Sequence, residues 1–124
     1  MAFFRPTISN GEVESAELVL NKSVLRVYAQ KLSRKNNAKP FTPWKLIGDV
    51  AHEMKHAGQY AEDIERVMAD REKDYWSRKI ELEAEQYAKK YISNRKPWGF
   101  MDYIERAFVI ADLNKRIKLI RRNM

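Results

Sequence analysis

The sequence predicts a mainly α domain with, at most, a short β element at its N-terminus. Three observations point that way. Apolar residues recur at three- and four-residue steps in segment after segment, the period of a helix lying on a core. Clusters of Asn, Pro and Gly, at residues 36–42 and 94–99, separate those segments and halt helices. Only the first few residues read as a strand, and a length of 124 residues suits one domain, 1–124, around one modest core.

Taken in order, Ala2 to Ile8 is that strand: Phe3 and Phe4 favour burial, and Pro6 would confine it to a sheet edge. Ser9-Asn10-Gly11 signals a turn. Ser15 then caps a helix expected to reach Lys35, with Glu17 near its start and Lys31, Arg34 and Lys35 near its end, where the helix dipole favours them. Ala16, Leu20, Val24, Val27 and Tyr28 give it an apolar face, and Asn36 to Thr42 is a connecting loop.

Thr42 as N-cap and Pro43 in the first helical position open the next helix, since proline has no N–H to waste there. Its predicted apolar stripe is Ile47, Val50, Ala51, Met54, Ala57 and Ala61, with Asp49, His52, Glu53, His56 and Tyr60 on the adjoining flank. Glu62 to Trp76 is charged in both signs around Ile64, Val67 and Met68; it reads as helix and solvated surface, with no catalytic residue placed in it.

Ser77 to Ser93 is a further helix with Ile80, Ala84, Tyr87, Ala88 and Tyr91 inward. Arg95-Lys96-Pro97-Trp98-Gly99 breaks it, and Trp98 is expected to plug the core rather than to act as a lid. Phe100 to Arg122 closes the chain as a helix with two apolar stripes, Ile104, Ala107, Phe108 and Ala111 beside Ile110, Leu113, Ile117 and Ile120. That breadth implies two neighbours or a protein partner.

Composition narrows the function. The absence of cysteine removes disulfides and thiolate ligands and suits a reducing, cytoplasmic setting. No apolar run approaches a membrane span, and Met1 to Pro6 lacks the charged start and long apolar core of a signal peptide, so a cytoplasmic protein is expected. The net charge of +7 can attract nucleic acid or an acidic partner. Lys115, Arg116, Lys118, Arg121 and Arg122 crowd the last ten residues, a cluster that the helix dipole explains in part.

The stretch richest in chemistry is His52-Glu53-Met54-Lys55-His56, which holds both histidines of the chain. On a helix, H-E-x-x-H sets two imidazoles one turn apart on one face, where both can bind one Zn²⁺, with the glutamate beside them as a base. The alternative is a plain surface pair of histidines. A third ligand would distinguish the two, and Glu81, Glu83 and Glu85 compete for that role. At about 100° per residue, Glu81 and Glu85 share a face with Ala84 and Ala88, whereas Glu83 points roughly 160 to 200° away, beside Lys79, Gln86 and Lys90. The alanines allow close approach of the two helices, which favours Glu81 as ligand, with Glu83 the internal alternative.

Together, His52-Glu53-Met54-Lys55-His56 and Glu81-Leu82-Glu83-Ala84-Glu85-Gln86-Tyr87-Ala88 resemble the motifs of gluzincin-type zincin metallopeptidases, most closely the small ImmA/IrrE-like bacterial and phage zinc peptidases. The resemblance covers residues 42–92. It implies a minimal zincin-like helical domain, Zn²⁺ on His52, His56 and Glu81, and Glu53 as the catalytic base. It also sets Glu85 where the family has Asp or Asn holding a ligand histidine, though Glu is one methylene longer.

The function expected is therefore zinc-dependent hydrolysis of a peptide bond in a protein or peptide substrate. Tyr60, Tyr87 or Tyr91 could donate to the developing oxyanion, with none singled out. Two alternatives stay open: a catalytically inactive zincin-fold binding or assembly protein, and a basic α-helical nucleic-acid binder with a chance H-E-x-x-H. The second lacks a helix-turn-helix glycine pattern or aromatic-basic interleaving.

Overall fold

The computed structural model of the protein describes residues 2–23, 25, 26 and 42–124. Strands β1 (Ala2–Ser9) and β2 (Glu12–Leu20) lead into helices α1 (Trp44–Glu62), α2 (Ile64–Arg71), α3 (Lys79–Ser93) and α4 (Phe100–Asn123), with a 3-10 turn at Tyr75–Ser77 before α3. The mainly α class with a short N-terminal β element is as the periodicity predicts.

The N-terminal strand has a partner that the sequence reading missed. Asn10 and Gly11 both take positive φ, 53° and 77°, in a two-residue turn of the kind that Asn-Gly favours because neither residue meets the usual Cβ penalty strongly there. The turn pairs β1 with β2 antiparallel from Ala2↔Leu20 to Ser9↔Glu12, with an irregularity between Thr7 and Ile8. The helix expected from Ser15 is thus corrected: Ser15 to Leu20 are strand, because a ladder of backbone hydrogen bonds wins over one side-chain cap. The chain is helical at Lys22 and Ser23, where the Asn21 carboxamide oxygen accepts the Ser23 N–H at 2.9 Å. Residues 24 and 27–35 of that predicted helix, and loop residues 36–41, lie outside the described residues.

Helices α1, α3 and α4 share the main core, formed by Trp44, Ala51, Ala88, Ile92 and Leu113. Ala84 and Ala88 are fully buried, and a Cβ on Gly48 would lie 2.9 Å from Ile92 Cδ1, so small residues do let α1 and α3 approach closely. A second cluster, Tyr60, Val67 and Ile80 with Phe4, Val13 and Ile64, fastens the hairpin and α2 to the same pair. Each fully buried aliphatic side chain here contributes about 1.5–3 kcal/mol.

Asp102 joins the starts of α1 and α4. It accepts from Trp44 Nε1 at 2.7 Å, from the Thr42 hydroxyl at 3.1 Å and from the Trp98 N–H at 2.9 Å. Thr42 therefore does not cap α1 as expected; Pro43 stands at the cap, and the hydroxyl serves Asp102. Trp98 is no core plug either, being 74% exposed, since only its backbone is held. Of the two stripes on α4, Leu113, Ile117 and Ile120 are buried, while Ala107, Phe108 and Ala111 are exposed among the described residues. No helix among them is long and apolar enough to cross a membrane.

Candidate metal centre

The buried face of α1 runs through Trp44, Gly48, Ala51, His52, His56, Gln59 and Tyr60, rotated from the predicted apolar stripe; Met54 is 55% exposed. Imidazoles can replace apolar groups there because α3 brings carboxylates to meet them, so each ring nitrogen gains a partner. His52, His56 and Glu81 are all buried. His52 Nε2 lies 3.0 Å from His56 Nε2 and 3.2 Å from Glu81 Oε2, and His56 Nε2 lies 3.0 Å from Glu81 Oε1. Ligands 2.0–2.1 Å from a tetrahedral zinc are about 3.3 Å apart, so these spacings fit the ion.

The outer nitrogens decide which face each ring presents. Gln59 Nε2 donates to the Ile80 carbonyl at 2.9 Å and to Glu83 Oε1 at 3.1 Å, which orients the amide and aims Oε1 at His56. His56 Nδ1 donates to that oxygen at 2.7 Å, leaving a lone pair on Nε2. On His52, Nδ1 meets Glu85 Oε1 at 3.2 Å, and Nε2 again faces inward. The extra methylene of Glu85 does not prevent contact. Its Oε2, however, is buried without a hydrogen-bond partner among the described residues, and Arg116 Nη1 stands 3.7 Å from Oε1.

Two imidazole lone pairs and a carboxylate oxygen within about 3 Å repel one another unless a cation sits between them. In the metal-free chain that cation is a proton. Burial lowers the pKa of His52, but hydrogen bonds to Glu81 and Glu85 outweigh it and hold the ring up at about 10. Burial likewise raises Glu81, yet its bonds from His52 and His56 bring it down to about 2. A divalent ion can take the proton's place, which is the donor set's natural chemistry.

Glu53 lines the same cleft. The Phe4 backbone N–H donates to its Oε2 at 2.8 Å, and its Oε1 lies 3.9 Å from His52 Nε2. Burial pushes its carboxyl up, with the two histidines and the Phe4 amide pulling the other way. Glu83, the competing ligand, turns away as its face predicts. It is not simply solvated, however, for Arg66 Nη1 and Nη2 grip it at 3.1 Å and it accepts from Gln59.

The cleft, about 210 Å³, is walled by Phe3, Phe4, Tyr60, Arg71, Tyr75 and Arg78. Residues 62–76, expected to be plain surface, therefore supply part of the site. Of the tyrosines named from sequence, Tyr60 lines the cleft, Tyr87 packs on the core and Tyr91 is 40% exposed. Tyr75, which was not anticipated, lines the cleft together with Glu81; burial and the charges of Glu81 and Glu85 push its phenol up, so it stays protonated. Gln59 was also missed, although its place three residues after His56, on the ligand face, was available as a signal. Comparison with family models, curated proteins and solved structures gave no match.

Proposed function

We propose that the chain is a small zinc metallopeptidase that hydrolyses a peptide bond with Glu53 as general base. The observation that carries this reading is the meeting of three acceptor atoms, from His52, His56 and Glu81, with both histidine Nδ1 positions committed to outer partners. Zinc held there would supply Lewis acidity and lower the pKa of water toward neutrality. The chain's own residues do the rest. Burial makes the Glu53 carboxylate a stronger base than an exposed one: it takes a proton from the attacking water and returns it to the amine as the C–N bond breaks. The Phe4 amide fixes one oxygen of that base, and the protonated Tyr75 phenol is a donor for the oxyanion. A reducing cytoplasm is the proposed setting, in keeping with a chain free of cysteine.

Metal analysis of the purified protein, joined to digestion of an unfolded protein by wild type and Glu53→Gln, tests this. Stoichiometric zinc in both and cleavage by wild type alone are expected. Zinc with no Glu53-dependent cleavage would leave the binding or assembly alternative. A chain that takes up no zinc would leave the nucleic-acid alternative, for which DNA affinity should fall steeply with salt.

A further inference from the structure

The cleft wall carries two positive charges that form no ion pair among the described residues. Arg71 Nη1 donates to the Tyr60 hydroxyl, and Arg78 donates from Nε to the Lys73 carbonyl and from Nη2 to the Arg71 carbonyl, both at 2.9 Å. All three acceptors are uncharged. Among the described residues no carboxylate comes within ion-pair distance of either guanidinium, although Arg5, Lys45, Arg66, Lys73 and Arg116 all have one. Glu72 and Asp74, the acids of the same segment, do not line the cleft, and Glu53 and Glu81, which do, are within ion-pair distance of the histidines and not of either arginine.

A guanidinium has five N–H donors, so Arg71 and Arg78 both keep several free. Arg78 is also fixed in place by its two backbone acceptors and lies over the Tyr75 ring at 5.8 Å, so little side-chain freedom remains to be lost on binding. Fixed, unpaired arginines beside a reacting centre suit a planar anion that accepts in fork geometry. A cleft of about 210 Å³ has room for a short peptide segment, so that anion belongs to the substrate near the bond being cut.

Resting on the peptidase reading, we infer that Arg71 and Arg78 form a carboxylate subsite selecting substrates with an acidic group close to the scissile bond. The carboxylate can come from an Asp or Glu side chain or from a free C-terminus.

The test uses zinc-loaded full-length protein and two peptide pools, one blocked at both ends with varied internal residues, the other free at the C-terminus and without Asp or Glu. Enrichment of Asp and Glu over Asn and Gln by tenfold or more within two residues of the cut, in the blocked pool, identifies the side chain. Trimming confined to the free-ended pool identifies the terminus. Arg71→Gln and Arg78→Gln should each lower the acidic-to-neutral ratio of kcat/KM about tenfold while zinc content stays at wild-type level. Cleavage with no acidic preference, or a preference unchanged in both variants, overturns the inference and leaves the peptidase reading intact. If no peptide is cut, the peptidase reading fails, and binding still decides the subsite. Zinc-loaded Glu53→Gln should hold a fluorescent acidic peptide at least tenfold more tightly than its amide counterpart, and equal affinity overturns the subsite.

Discussion

The floor of the cleft and its wall are built in different ways. The floor is two helices, α1 and α3, packed through alanine and glycine, with both ligand imidazoles held at Nδ1 by buried partners. The wall is a hairpin, the end of α2 and a 3-10 turn, which contribute Phe4, Arg71, Tyr75 and Arg78. A rigid floor suits an ion that tolerates little displacement, and a wall of loops suits a substrate. The difference predicts that changes to the floor's ligands and to the groups that hold them weaken or remove metal, whereas wall changes leave metal bound and alter turnover or selection.

The severest break is Glu81→Ala, which should abolish stoichiometric zinc by metal analysis, while Glu83→Ala keeps it. If both lose zinc equally, the division between ligand and supporting residue is wrong. Next comes Glu53→Gln, expected to retain zinc and lose about 10²–10⁴-fold in kcat/KM. Tyr75→Phe sharpens the contrast from the wall: kcat should fall about 10²-fold with zinc affinity unchanged, and a matching loss of zinc would move Tyr75 to the floor. Gln59→Leu should weaken zinc about 10–100-fold in a competition titration, because His56 loses the acceptor that sets its tautomer.

The smallest effect is on pH. His52 keeps its proton to about 10 in the folded metal-free chain, against 6.5 when unconstrained. Its stabilisation is therefore complete below pH 6.5 and is lost as pH rises toward 10. Glu81, lowered to about 2 from 4.5, describes the acid side of the same pair, with stability kept above 4.5 and lost as pH falls through 2. Thermal melts of metal-free protein should fall from pH 6.5 to 10, and zinc-loaded protein should resist that fall because the ion replaces the proton.

How much of this was legible follows from the same division. Within a helix, 100° per residue fixes angles, so the pairing of His52 with His56 and of Glu81 with Glu85, and the turning away of Glu83, could be read directly. The close approach of the helices was legible from Ala84 and Ala88. The wall was not, because Arg71, Tyr75 and Arg78 reach the cleft through loop geometry set by distant contacts. One of these is Asp70, whose Oδ2 accepts the Ile80 N–H at 2.8 Å. The hairpin did leave a signal in Asn10-Gly11, but Ser15 followed by Glu17 looked like the cap and first turn of a helix.

The bond from Phe4 to Glu53 comes from the main chain. Alanine scanning at position 4 would register only the missing ring beside Tyr60 and pass over the attachment, because any residue but proline still offers that N–H. Phe4→Pro alone would release the base.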